Sequence, residues 1–168
     1  MRFLGLPGML VKQQNSFFRI LPSNYEKELF FRLIANRKDL EYLYFREIQS
    51  YTQTILSVIR NHCKNFKGLK KTGFMGDEEA LAIVNNLPRL RHLTVTSASM
   101  SRENFNLILE RCRELEELTV KDCCGFEVDE EILKMCSHIN KFEFKDIRLH
   151  EDDRYYYPGV SPDNSSDG

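Results

Sequence analysis

The chain has 168 residues, with 24 lysines and arginines against 25 aspartates and glutamates and a formal net charge of −1. That length suits one domain with a sizeable core. The charge balance excludes the strong basic excess on which electrostatically driven nucleic-acid binding depends, which leaves a protein as the expected partner.

In chain order, residues 1–22 come first, and no periodicity assigns them a structure. The opening "MRFLGLPGMLV" has one arginine, a proline-broken apolar stretch and no clear cleavage site. From Ser23 onward the pattern becomes regular. Ser23 and Glu26 form a capping-box pattern before "KELFFRLI". Thr52 precedes "QTILSVIRNHC", Asp77 precedes "EEALAIVNNL", Ser101 opens "SRENFNLILERC" and Asp129 precedes "EEILKMC". Each is a residue type whose side chain can accept from the free N–H groups of a first helical turn. Phe105, Ile108, Leu109 and Cys112 recur at three- and four-residue intervals, which puts them on one helical face. In "LEELTV", Leu118 and Val120 alternate with polar neighbours, as in a short half-buried strand.

The same helix-then-strand frame recurs along the chain. It reads "LIANRKDLEYLYF" from Leu33, "IRNHCKNFKGLKK" from Ile59, "IVNNLPRLRHLTV" from Ile83, "ILERCRELEELTV" from Ile108 and "ILKMCSHINKFEF" from Ile132. One shared position is Leu40, Phe66, Leu90, Leu115 and Ile139, in steps of 26, 24, 25 and 24 residues. A single helix–strand unit cannot bury its apolar side alone, so the units are expected to stack into an α/β solenoid with a continuous core. This repeat domain is predicted over residues 23–149. Residues 150–168, "HEDDRYYYPGVSPDNSSDG" with His150 first, turn acidic and rich in proline, glycine and serine. They are expected to lie outside the fold as a disordered tail.

Five cysteines, an odd number, sit within apolar-periodic segments and not between loops as in a secreted disulfide framework. They are expected to be reduced, in the cytoplasm or nucleus; a sequon at Asn164-Ser165-Ser166 would matter only in a secreted chain. Cys63, Cys112 and Cys136 occupy one repeat position, where Leu87 serves equally, so they read as small buried hydrophobes. Zinc would need four convergent ligands; there is no C-x-x-C pair, and His62-Cys63 and Cys136-Ser137-His138 fall on different turns of the solenoid. Cys124 is the best candidate for an exposed thiol, but no histidine is positioned to activate it. There is no glycine-rich phosphate loop, G-x-S-x-G or metal-binding histidine spacing, and the carboxylates of "GDEEAL" and "VDEEIL" lie in first helical turns, where the helix dipole favours them. No catalytic residue, cofactor or metal is therefore expected, and no apolar run reaches the length of a membrane helix.

"LEELTVKDC", Leu115 to Cys123, fits the pattern L-x-x-L-x-L-x-x-N/C, and the step from Cys112 to Cys136 is 24 residues. Together with "IRNHCKNFKGLKKTGF" and "LPRLRHLTV", these features resemble the cysteine-containing leucine-rich repeats of plant F-box/leucine-rich-repeat proteins, over roughly Leu33 to Leu149. The resemblance implies a horseshoe arc of about five helix–strand repeats. The frame departs from the pattern at several places. Lys71 stands at an apolar strand position, Arg37 replaces an apolar helix end, and the asparagine-or-cysteine position holds Ile48, Phe74, Ala98 and Ile147 in the other units.

If each L-x-L pair is buried, the intervening strand residues face the concave side in columns. The columns are Tyr42, Gly68, His92, Glu117 and Lys141; then Tyr44, Lys70, Thr94, Thr119 and Glu143; then Arg46, Thr72, Thr96, Lys121 and Lys145. The partner surface is expected there, on Tyr42, Tyr44, Arg46, Lys70, His92, Glu117, Lys121, Lys141, Glu143 and Lys145. Tyr42, Tyr44 and Arg46 are the residue types that dominate binding hot spots.

The family resemblance implies a substrate receptor of a cullin-RING (SCF) ubiquitin ligase, in which an F-box docks on the Skp adaptor and the repeats hold a protein substrate. No F-box pattern precedes these repeats: Leu6-Pro7 and Leu21-Pro22 are present, but the cysteine and tryptophan of that module's end are not. The chain therefore reads as the repeat portion of such a receptor or a truncated paralogue, binding the adaptor only if an F-box is supplied upstream. A stand-alone repeat scaffold without a ubiquitin role is the alternative, and a redox-sensitive enzyme using Cys124 a third reading.

Overall fold

Five short strands, one per repeat, run parallel through the centre of the molecule. The computed structural model describes residues 9–13, 16–17, 24–46 and 51–145. In chain order the elements are β1 (Met9–Gln13), β2 (Ser16–Phe17), α1 (Asn24–Ala35), β3 (Tyr42–Arg46), α2 (Thr52–His62), β4 (Gly68–Thr72), α3 (Asp77–Asn86), β5 (His92–Thr96), α4 (Arg102–Arg111), β6 (Glu117–Lys121), α5 (Glu130–Met135), a 3-10 turn (Cys136–His138) and β7 (Lys141–Lys145). The sheet order is β2-β1-β3-β4-β5-β6-β7. β3 to β7 pair in parallel, whereas β1 pairs antiparallel with both β2 and β3. The N-terminal segment thus adds two strands to the first repeat, which no periodicity in residues 1–22 announced.

Each helix packs on its sequence neighbour, α1 on α2 through α4 on α5, so the helices form one layer behind the sheet. Between the layers lie the strand residues Leu43, Leu69, Leu93 and Leu118 and the helix residues Ile55, Ile83, Ile108 and Ile132. β5 shows the alternation expected of such a sandwich, with Leu93 and Val95 buried and His92, Thr94 and Thr96 half-exposed on the helix-free face. The frame-position residues Leu40, Leu90, Leu115 and Ile139 are all buried where each helix turns back into a strand.

The turn leaving each strand is built the same way three times. Gly73, Ser97 and Asp122, each one residue past a strand, have φ of 82°, 49° and 54°. This left-handed step favours glycine and is tolerated by short polar residues. Beyond it a second ladder forms, with bridges Met75↔Met100 and Ser99↔Cys124. Ala98 and Cys123 fill the asparagine-or-cysteine slot and are buried. In the preceding unit the buried side chain is instead Met75, which leaves Phe74 50% exposed. Ile48 and Ile147 lie outside the described residues. Gly125 has φ 100°, and a β-carbon there would overlap the Met100 carbonyl. Gly125→Ala is therefore expected to cost about 1–3 kcal/mol, read as a lower urea midpoint at unchanged slope.

Two of the expected helix caps operate as predicted. Ser101 Oγ accepts from Asn104 N–H at 3.2 Å and Asp129 Oδ1 from Ile132 N–H at 3.0 Å. That bond, and then Arg102, hold the Asp129 carboxyl below its usual pKa. Thr52 and Asp77 instead begin their helices, after Tyr51 and Gly76, neither of which caps with a side chain. Both reach to the next repeat: Thr52 Oγ1 donates to Glu79 Oε1 at 3.3 Å, and Asp77 Oδ1 accepts from Asn104 Nδ2 at 2.9 Å. Ser23 and the side chain of Glu26 lie outside the described residues, as do the tail and the sequon.

Lys71 keeps the apolar strand position despite its charge and is 2% exposed. Its Nζ lies 3.2 Å from Glu79 Oε1 and donates to the Thr72 carbonyl at 3.1 Å. Glu79, in the first turn of α3, is likewise buried, so it serves this internal ion pair as well as the helix dipole.

Candidate functional site: the helix-free face of the sheet

In-register parallel pairing decides what this face displays, because residues paired across neighbouring strands share a side of the sheet. The pairing runs Tyr42↔Gly68↔His92↔Glu117↔Lys141, then Tyr44↔Lys70↔Thr94↔Thr119↔Glu143, then Arg46↔Thr72↔Thr96↔Lys121↔Lys145. These are the three columns read from the repeat frame.

Within the first column, Tyr42 leans across Gly68 onto His92, with ring centroids 5.6 Å apart. This placement of the ring depends on the glycine between them, since a β-carbon on Gly68 would overlap the Tyr42 ring and one of the two would have to shift. His92 Nδ1 lies 3.4 Å from Glu117 Oε2, so the row continues across four strands, β3 to β6. In the second column the Lys70 ammonium sits 5.1 Å from the centre of the Tyr44 ring, a cation–π contact. Between the second and third columns, Lys121 Nζ meets Glu143 Oε1 at 2.7 Å, and this contact is the main cause holding the Glu143 carboxyl below its usual pKa. Lys141 and Lys145 are exposed on β7. Arg46 holds its register position, but its side chain lies outside the described residues.

Sequence reasoning about single residues passed over the middle of the face. Thr72, Thr94, Thr96 and Thr119 form a neutral polar strip between the tyrosine end and the charged end. The signal was present, because the columns already contained them, but threonine carries no motif. β1 lies beside the tyrosine end, with backbone pairs Leu10↔Tyr44 and Lys12↔Tyr42. The face therefore offers aromatic area, hydroxyls and paired charges, which suit contact with another macromolecule.

The cysteines belong to the packing. Cys63, Cys112, Cys123 and Cys136 are buried and Cys124 is exposed, all five as free thiols. Cys63, Cys112 and Cys123 point their sulfurs at the carbonyls of Ile34, Leu87 and Val95 in the preceding repeat. Burial pushes Cys112 up to about 12, and is the main cause raising Cys63 and Cys136 to about 11. In native protein, iodoacetamide at pH 8 is expected to modify Cys124 alone, and in denaturant all five cysteines; intact-mass measurement distinguishes the two. Among the described residues, no group of three or more histidine, cysteine or acidic side chains could hold a metal.

Helix–strand units of about 24 residues whose strands pair in parallel and in register, with a left-handed turn after β4, β5 and β6, define a leucine-rich-repeat protein. Residues 28–148 match the family model described as FBD-associated F-box protein At5g56370, LRR repeats. The chain belongs to this leucine-rich-repeat family of plant F-box proteins. F-box protein SKIP19 of Arabidopsis thaliana is 31% identical over 107 residues, covering 62% of this chain and 34% of that protein. Putative F-box/LRR-repeat protein 22, from the same plant, is 31% identical over 136 residues, covering 77% of this chain and 41% of its own length. The chain thus spans about a third to two fifths of these relatives. Among solved structures, a chain in "Structure of Chaetomium Mex67:Mtr2 subunits" shares the fold, with a TM-score of 0.55, 14% identity and coverage of 73% of this chain and 92% of that one.

Proposed function

We propose that the chain is the partner-holding repeat region of an F-box-type ubiquitin-ligase receptor, acting in the cytoplasm or nucleus, and that its helix-free face grips a protein substrate. The observation that carries this reading is the in-register face itself: Tyr42 and Tyr44 stand there half-exposed beside the threonine strip, outside the buried core. Aromatic side chains supply contact area at low entropic cost. Family membership supports a protein partner, and the buried, unpaired cysteines agree with a reducing compartment.

Truncating both tyrosines, Tyr42→Ala with Tyr44→Ala, is expected to weaken partner capture by about 2 kcal/mol or more. Circular dichroism should remain that of the wild type. Pull-down from plant extract compares the two; undiminished capture by a folded variant removes the tyrosines from the site.

Adaptor binding is expected only of a chain that also carries an F-box. Stable co-purification of these 168 residues with the Skp adaptor at micromolar concentration would assign that role to the segment before the repeats. A scaffold without any ubiquitin role is the alternative, and fusion to an F-box followed by a test for ubiquitylation of the captured partner separates them.

A further inference from the structure

Gly68 opens β4 in the first column of the helix-free face, whose other members, Tyr42, His92, Glu117 and Lys141, all carry large side chains. Glycine inside a strand costs backbone entropy and packs nothing of its own, and it often marks a place where another group comes close to the backbone. Here that group is the Tyr42 ring. Gly68 is buried, although in the same column His92 is half-exposed and Glu117 and Lys141 are exposed.

Backbone conformation gives no other reason for this glycine. Gly73 and Gly125 take positive φ, whereas Gly68 does not, so its backbone is one that alanine adopts. A β-carbon at this position would overlap Cδ1 and Cε1 of the Tyr42 ring and stand 3.2 Å from Cβ of His92. The overlap falls on a side chain and not on the backbone, so the ring yields and the sheet does not. The ring is also placed from its other side. Its centroid is 5.6 Å from that of His92, an ordinary aromatic pairing distance, and His92 meets Glu117 in turn. A ring fixed before the partner arrives spares part of the ordering cost that binding otherwise carries.

We infer that Gly68 is a positioning residue of the partner-binding face: carrying no side chain, it lets the Tyr42 ring seat on the sheet against His92, in place for the partner. The inference rests on the reading of the helix-free face as the partner site. Gly68 acts there through Tyr42 and not by its own contact.

The test uses the full chain with benzoylphenylalanine at Thr94, irradiated in plant extract over a range of chain concentrations, and the quantity read is the yield of the discrete protein adduct. Gly68→Ala is expected to raise the concentration needed for half-maximal adduct by about five-fold, the cost of immobilising one such side chain on binding. Thermal melting should be unchanged or raised, because alanine at an ordinary φ restricts the unfolded chain more than glycine does. Gly76→Ala is the matched control. Its β-carbon would crowd the Phe74 ring at 2.7 Å, beside the start of α3 and at an ordinary φ of −84°, and it should leave the adduct titration as it is. In the free protein, nuclear Overhauser contacts between the Tyr42 and His92 rings are expected in the wild type and lost in Gly68→Ala. The inference is overturned if Gly68→Ala leaves the titration unchanged, if Gly76→Ala shows an equal loss, if melting falls together with capture in Gly68→Ala, or if the ring contacts survive that substitution. Failure of the partner reading itself looks different: no adduct forms from Thr94, or Tyr42→Ala with Tyr44→Ala leaves it intact, and either result removes this inference as well.

Discussion

Ile108→Asp is expected to leave no folded population at 25 °C. Ile108 is fully buried in α4, which packs on α3 on one side and α5 on the other. A carboxylate at this position would be buried within the apolar core cluster, which costs several kcal/mol, against a total stability of roughly 5–15 kcal/mol for a domain of this kind. The position adds a second effect. In a solenoid each unit is stabilised by its neighbours, so a failure in the fourth repeat also uncouples the fifth. Ile108→Val, which keeps the shape and removes one methylene, should cost only about 0.5–1.5 kcal/mol. Circular dichroism and urea titration read both. A soluble Ile108→Asp variant with wild-type melting would contradict the stacked core.

Breaking the Lys71–Glu79 pair is expected to be nearly as damaging. Both side chains are under 5% exposed and 3.2 Å apart, and Glu79 Oε2 has no hydrogen-bond partner among the described residues. Glu79→Ala strands a buried ammonium that retains the Thr72 carbonyl, for a loss of about 3–5 kcal/mol. Replacing both residues, Lys71→Met with Glu79→Leu, removes the two desolvation penalties together and should recover most of that loss or exceed the wild type. The comparison is a double-mutant cycle in urea whose single changes are Lys71→Met and Glu79→Leu. Equal, additive losses from the two single changes would mean the pair is not coupled in the folded protein.

The residues that the sequence made legible share a physical reason. Repeats that pair in parallel and in register carry a frame position in sequence to a column in space, so Tyr42, His92 and Glu117 could be aligned before any coordinates. Ser101 and Asp129 were readable because each caps its own helix, a local bond. Thr52 and Asp77 were misplaced by one residue because their side chains bond to the next repeat, 27 residues away in each case. Lys71 stood out as a breach of the apolar pattern, but its partner did not. Glu79 shares the inner face of α3 with Ala80 and Ile83, four residues before the latter, and an acid in a first turn has an ordinary explanation in the helix dipole. Strands β1 and β2 escaped because an antiparallel hairpin on a sheet edge obeys no repeat. Of the face itself, the positions were legible, whereas the Tyr42 ring lying across Gly68 onto His92 needed coordinates, since only they show what fills the space above a glycine.

The central claim is that the helix-free face holds the partner, and photocrosslinking tests it most directly. Benzoylphenylalanine is placed at Thr94 or Thr119, in the middle of that face, and for comparison at Leu81 or Leu133, exposed on the helix layer. Irradiation in plant extract is predicted to yield a discrete protein adduct from the two strand positions and none from the helix positions, with the adduct lost in the Tyr42→Ala/Tyr44→Ala background. The same adduct arising from Leu81 or Leu133, with Thr94 and Thr119 silent, would place the partner on the helices and contradict the account.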